Sequence, residues 1–227
     1  SRSMLADDLK PSRLDHAKWL LRELIKATPG DRFGIVAFAG DAFLQCPLTI
    51  DRNSLFMYMD ELSPGSIPLG GTNLERALLR AVAAFAAAGG GHRAVLLLTD
   101  GDELAGNSRR VLAEFSKRNL PLLVVGLGDP AGTGLIPIPA EDGRSRTLLR
   151  DRQGQLVVSR LAEDALRNLA LGTPNGMYLR STVTDSGLDQ LRRRIHELVP
   201  EAFAQGQRQR PIERFPLPLA AAVLLLL

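Results

Sequence analysis

Leu14, Ala17, Leu21, Leu24 and Ile25 recur at helical spacing, behind Pro11-Ser12 and ahead of Pro29-Gly30. That spacing predicts a helix over about 13–27, with Ser12 and Asp15 in capping-box positions and Pro29-Gly30 as its stop. The apolar run Phe33–Ala39 reads as a buried strand, and Ala42–Leu48 follows it closely enough to be its antiparallel hairpin partner at the edge. A short helix is expected over 52–61, then a breaker-rich loop from Ser63-Pro64-Gly65 to Gly70-Gly71. Leu74, Leu78, Ala81 and Phe85 share one face of an alanine-rich helix expected over about 73–88.

Ala94–Thr99 is continuously apolar, as a parallel strand covered on both faces should be. A helix over 108–118 and a strand over 121–125 continue the alternation. Residues 133–158 interrupt it with Pro137, Pro139 and Gly143, and Thr147–Leu149 and Gln155–Val158 are expected to pair as a hairpin around Arg152-Gln153-Gly154. The alternation resumes with a helix at 160–171, a strand at 176–179 and a helix at 186–199. Such a pattern predicts an α/β fold: a doubly wound, mostly parallel sheet with helices on both faces, ligands binding at the carboxyl ends of the strands.

Composition narrows the function classes. With 227 residues and 45% hydrophobic content, the chain can bury one sizeable core. The net charge of +3 comes from the end of the chain, because residues 1–191 hold 22 basic and 22 acidic groups. Aromatic residues make up 5%, and the main body has no basic stripe, so nucleic acid is excluded as a partner. Cys46 is the only cysteine and reads as a small packed residue; it excludes an internal disulfide. His16, His92 and His196 lie in separate elements, without the spacing of zinc ligands. Gly126-Leu127-Gly128-Asp129-Pro130 reads as a turn and not as a dinucleotide fingerprint.

Phe215–Leu227 is uninterruptedly apolar behind an arginine-rich flank. A spanning helix takes about 20 such residues, so this stretch is expected to be the start of a truncated transmembrane helix. Residues 204–214 would be the juxtamembrane linker and residues 1–203 the folded domain. A cytoplasmic flank is what the arginines at 192–194, 208, 210 and 214 favour.

The candidate chemistry is spread over three segments. Ser1 and Ser3 precede the first helix, Thr72 stands where a loop enters a helix, and Asp100 follows the strand 94–99. All are hard oxygen donors suited to one Mg²⁺ or Mn²⁺, and in a doubly wound sheet they fall at the same end. Each also has an ordinary role: Thr72 and Glu75 fit a capping box, Asp100-Gly101 a turn, and the serines a loop. Capping and coordination are compatible for Thr72. Asp100 and Asp102 with Mg²⁺ would also suit phosphoryl transfer, yet no D-x-D-x-T stretch follows a strand, and no histidine or lysine stands beside the acidic loop. A metal-independent interaction domain is the third reading.

The segments SRSMLADDLKPSRLDHAK, GDRFGIVAFAGDAFLQCPLT, GGTNLERAL, LLTDGDE and QLVVSRL resemble the von Willebrand factor type A family, above all its membrane-anchored aerotolerance (Bat) subgroup. The resemblance implies a metal-ion-dependent adhesion site built from D-x-S-x-S, a threonine and an aspartate. Ser1, Ser3, Thr72 and Asp100 match it, and the first aspartate would lie two residues before Ser1. It further implies a non-enzymatic domain that binds a partner's carboxylate through Mg²⁺ or Mn²⁺. Related Bat membrane proteins or a MoxR-type AAA+ ATPase are the implied partners. The subgroup's architecture places the domain on the periplasmic side of the bacterial inner membrane. Fold analogy sets a preceding strand between 33–39 and 94–99, in the order 3-2-1-4-5-6. Without that strand the sheet should be incomplete and, with Asp100 the only acidic ligand left, metal affinity weak.

Overall fold

Helix α1, Arg13–Ala27, begins at Ser12, whose hydroxyl accepts the Asp15 N–H at 3.1 Å and donates to the Asp15 carboxylate at 2.7 Å. That is the expected capping arrangement, made reciprocal through the side chains. The computed structural model describes residues 1–65, 71–85, 91–101, 108–139 and 146–198. The expected linker and membrane segment, 204–227, lie outside the described residues, as does Asp102.

After α1 come strands β1 (Phe33–Phe38) and β2 (Ala42–Thr49), helices α2 (Arg52–Glu61) and α3 (Leu74–Ala84), β3 (Val95–Thr99), α4 (Ser108–Lys117) and β4 (Leu122–Leu127). An excursion of short strands follows: β5 (Gly134–Leu135), β6 (Pro137–Pro139), β7 (Arg146–Leu148) and β8 (Val158–Ser159). The chain then returns through α5 (Glu163–Leu171), β9 (Met177–Ser181) and α6 (Leu188–Glu197). Each helix and core strand of the alternation was expected, within a few residues at its ends.

The strands pair in two groups. β1 and β2 form an antiparallel hairpin, while β3, β4 and β9 form a parallel sheet in that order. Among the described residues, β1 and β3 are not paired with each other. Within each group the neighbours are those expected from the doubly wound order.

The parallel sheet is covered on both faces, as the continuous apolar runs require. Val95, Leu97, Leu122 and Val124 pack with α3, α4 and α5 residues such as Leu78, Phe115 and Leu166. Their neighbours along the strands, Leu96, Leu98, Leu123 and Val125, pack with Leu20 and Leu24 of α1 and Leu191 of α6. A smaller core joins Ile25, Cys46, Leu55 and Met59 beneath the hairpin. Cys46 is buried there, as read from the sequence.

The excursion departs from expectation. The segment expected to pair with 155–158 pairs instead with β6, in the register Pro137↔Leu148, Ile138↔Thr147 and Pro139↔Arg146. The expected hairpin is formed in part: the Val157 N–H donates to the Leu149 carbonyl at 2.9 Å and the Asp151 N–H to the Gln155 carbonyl at 2.8 Å, about the Arg150↔Leu156 bridge and the Asp151–Gly154 turn. The two prolines lie two residues apart, so their missing N–H groups fall on one edge, while the Ile136 carbonyl accepts from Leu149 N–H at 2.9 Å on the other.

Leu20 is fully buried between the sheet and α6, so Leu20→Ala should cost about 2–5 kcal/mol of unfolding free energy in urea denaturation. Ser12→Ala, which removes only a cap, should cost about 1 kcal/mol.

Candidate metal centre

Ser1, Thr72 and Asp100, from three distant segments, line a single cavity of about 530 Å³. Ser3 joins them through its hydroxyl, 2.6 Å from that of Ser1. A short 3₁₀ turn over Arg2–Leu5 holds the serines, closed by the Ala6 N–H donating to the Ser3 carbonyl at 3.0 Å. Asp100 ends β3, and its own carbonyl accepts the Ala162 N–H at 2.9 Å ahead of α5. Thr72 is buried just before α3, and the Asn73 N–H donates to the Ala39 carbonyl at 2.7 Å, drawing the end of β1 to the same place.

One detail of the capping box is corrected. The cap of α3 is Asn73, whose side-chain oxygen accepts from the Arg76 N–H at 3.0 Å, and not Thr72. Asn73 stands one residue nearer the helix and makes the three-residue bond that Thr72 would have made to Glu75. Thr72 is thereby left out of the cap, facing the cavity.

The strongest interaction at this end comes from a residue the sequence reading passed over. Arg13 is 0% exposed. Its Nη1 donates to the Asp100 carboxylate at 3.0 Å and to the Ser159 hydroxyl at 2.6 Å. Its Nε and Nη2 grip Asp8 in a bidentate pair, at 2.8 and 2.7 Å. Asp8 also accepts the Asp129 N–H at 2.9 Å, tying in the turn after β4. The signal was in the periodicity: Arg13, Ala17, Leu20 and Leu24 form one buried stripe of α1, so the arginine occupies a core position.

Glycines make room for the guanidinium. A β-carbon on Gly134 would come within 2.6 Å of Arg13 Nη2, and one on Gly128 within 2.6 Å of its Cζ. Gly128 also has φ +125°, which side-chain-bearing residues rarely adopt. The Gly126–Pro130 segment, read as a turn, is thus shaped to pass the buried charge.

Burial alone would raise the Asp8 carboxyl, but hydrogen bonds and charge from Arg13, with the Asp129 and Leu9 N–H groups, outweigh it and hold it below the usual carboxylate range. Burial likewise works against the Arg13 charge, and Asp8 and Asp100 together reverse the effect and raise it.

The donors suit a hard divalent cation in kind. Mg²⁺–oxygen bonds of about 2.1 Å put neighbouring octahedral ligands roughly 3 Å apart, close to the 2.6 Å between the two serine hydroxyls. Charge is scarcer: Asp100 is 1% exposed and shares its carboxylate with Arg13. No trio of His, Cys, Asp or Glu among the described residues is placed to hold an ion, so an ion bound here would depend largely on hydroxyl ligands.

Residues 1–103 match the von Willebrand factor type A domain. The crystal structure of a conserved hypothetical protein BatB from Bacteroides thetaiotaomicron superposes with a TM-score of 0.78 at 33% identity, over 87% of this chain and 94% of that one. The chain belongs to the von Willebrand factor type A family. An aerotolerance-related membrane protein from Bacteroides fragilis is similar to the same degree: TM-score 0.77, 34% identity, and again 87% and 94% coverage. A UPF0353 protein of Mycolicibacterium gilvum is 28% identical over 159 residues, which are 63% of this chain and 48% of that protein. The chain thus spans about half the length of the curated relatives it matches. Type A domains of Bat-like proteins are generally non-enzymatic and serve interaction or scaffolding. No helix among the described residues is long and apolar enough to cross a membrane.

Replacing Arg13 strands two carboxylates in a buried site. Arg13→Met should therefore lower stability by about 3–5 kcal/mol in denaturant unfolding. Asp8 gives the pH dependence. Its carboxyl is depressed in the folded state, so its contribution is present above the unfolded pKa of about 3.9 and lost as pH falls through the folded value. Asp8→Asn should flatten the acid limb of the stability profile below about pH 4.

Proposed function

We propose that this chain is the adhesion domain of a membrane-associated Bat-type protein and joins a protein partner through one divalent cation. Ser1, Ser3, Thr72 and Asp100 would hold Mg²⁺ or Mn²⁺, and a carboxylate from the partner would complete the coordination. What supports this reading is that Ser1, Thr72 and Asp100 all line one cavity, with Ser3 hydrogen-bonded to Ser1. Family membership supports the interaction role, and the description of a similar protein as an aerotolerance-related membrane protein supports the membrane setting. Related Bat-type membrane proteins and a MoxR-type AAA+ ATPase are the partners this reading favours, with the domain on the periplasmic face of the inner membrane.

The cation would supply concentrated positive charge and open coordination positions for oxygen. The protein's own groups set how strongly. Asp8 and Asp100 against Arg13 leave one net negative charge among the nearly buried side chains of the network, and a bound divalent ion would turn this into one net positive charge. A partner carboxylate neutralises that excess, whereas a neutral or basic group does not. Recognition of an acidic side chain follows from this balance.

Arg13 favours a second reading. Its guanidinium already compensates Asp100, so the domain can hold its shape and bind a partner with no cation at all.

Calorimetric titration of Mg²⁺ and Mn²⁺ separates the two. The first reading predicts saturable one-to-one binding, weakened at least tenfold by Thr72→Ala and by Asp100→Asn, with the folded state retained in circular dichroism. Cation binding that neither substitution changes, or no binding in a folded chain, would favour the metal-independent domain.

A further inference from the structure

The excursion after β4 is one antiparallel ladder with an interrupted partner strand. β7 runs beside β6 and β8 beside β5, and the hairpin 149–157 leaves between them, opposite Ile136. Alternation along these strands sorts the side chains by face. Ile136 and Ser159 fall on one face and are buried, the Ser159 hydroxyl accepting from Arg13 Nη1 at 2.6 Å. Leu135, Leu148 and Val158 fall on the other face, which is turned to solvent: Val158 is 46% exposed.

Two arginines extend the outer face. Arg146 precedes Leu148 by two residues and Arg150 follows it by two, with Arg150 opposite Leu156 in the hairpin bridge. The face therefore presents arginine, leucine and arginine at steps of roughly 6.6 Å, with Leu156 and Val158 alongside. Arg146, Arg150, Arg152 and Arg160 are all exposed, and among the described residues none of them is ion-paired. One Arg150 N–H donates to the Gly154 carbonyl at 2.6 Å, which orders the side chain without neutralising it. Residues 146–160 hold four arginines and one aspartate, whereas the rest of residues 1–191 holds 18 basic and 21 acidic groups. Asp151, the one acid, is turned back on its own hairpin, accepting the Gln153 and Gln155 N–H groups at 2.9 and 2.8 Å. Positive charge is thus concentrated on this lobe, around an exposed apolar row.

We infer that the outer face of the lobe binds an extended acidic segment of a protein partner, whose acid, apolar and acid side chains at alternate positions match Arg146, Leu148 and Arg150. The guanidinium forks suit planar carboxylates, and an apolar side chain between them packs on Leu148, Leu156 and Val158 and shields the ion pairs from water. A lipid surface fits less well. The hairpin tip, Asp151–Gln155, carries an acid and two amides, and the exposed apolar side chains on its flank include no aromatic anchor. Ser159 and Arg13 tie the ladder to Asp100, but docking on its outer face requires no cation, so its failure leaves the metal reading standing.

The test uses the 227-residue chain in chelator with the amidated peptide Gly-Thr-Glu-Thr-Leu-Thr-Glu-Thr, labelled at its N-terminus with a neutral fluorophore and followed by anisotropy. Saturable one-to-one binding below about 1 mM is expected. Arg146→Glu combined with Arg150→Glu should weaken it at least about tenfold, as should lysine for glutamate or serine for leucine in the peptide. The same charge reversal at exposed Arg80 of α3 and Arg193 of α6 should leave binding as in the original chain. Equal weakening by that control pair, or equal binding of the serine peptide, reduces the effect to net charge and overturns the inference. Absence of saturation overturns it too. Binding to phosphatidylserine-containing vesicles that Arg146→Glu with Arg150→Glu abolishes, without peptide binding, overturns it as well and makes a membrane the occupant. Circular dichroism checks the fold of each variant; should the reversed pair unfold, Arg146→Gln with Arg150→Gln must weaken peptide binding, and failure to do so counts against the lobe.

Discussion

A single buried guanidinium organises the end of the sheet where the candidate site lies. Arg13 enters from the first turn of α1 and binds Asp100 at the end of β3, Asp8 ahead of the helix and Ser159 in β8. Three segments far apart in sequence, 8–13, the end of β3 and β8, are thus fixed by one cation whose five donors suit planar carboxylates. Two glycines open the path for it. A buried ion network of this kind is a weak source of net stability, because desolvation offsets most of the attraction, but it penalises any arrangement in which one member is missing. Its effect is to set where Asp100 points and how much negative charge the site retains.

The second constraint is the break between β1 and β3. Helices on both faces hold the two halves of the sheet in their places, so the loss of one ladder does not scatter the ligand candidates. Ser1 and Ser3 hang from a 3₁₀ turn, Thr72 from the entry to α3, and Asp100 from β3, each anchored by backbone hydrogen bonds outside the gap.

Much of this was legible in the sequence, for reasons that differ by element. α1 and the buried strand β3 announced themselves by periodicity and by an unbroken apolar run, and the order of motifs carried the family. The cap of α3 shifted by one residue because threonine and asparagine are both good N-caps, and which one serves is decided by backbone geometry. The partner of β7 was misassigned because Pro137 and Pro139 looked like breakers; at alternate positions they spoil only one edge of a strand. Arg13 was missed because an arginine in a first helical turn usually faces water, although its place in the Ala17–Leu20–Leu24 stripe marked it as buried. Its partners Asp8, Asp100 and Ser159 have no common signature in the sequence, since tertiary structure alone brings them together.

The central proposal is one divalent cation held by Ser1, Ser3, Thr72 and Asp100, beside a guanidinium that already shares the aspartate. The direct measurement is anomalous diffraction from crystals of the chain soaked in Mn²⁺. A single peak within about 2.3 Å of at least three of those side-chain oxygens is the predicted result, the distance being that of a divalent cation–oxygen bond. Saturating Mn²⁺ with no peak there, and Arg13 still bonded to Asp100, would contradict it.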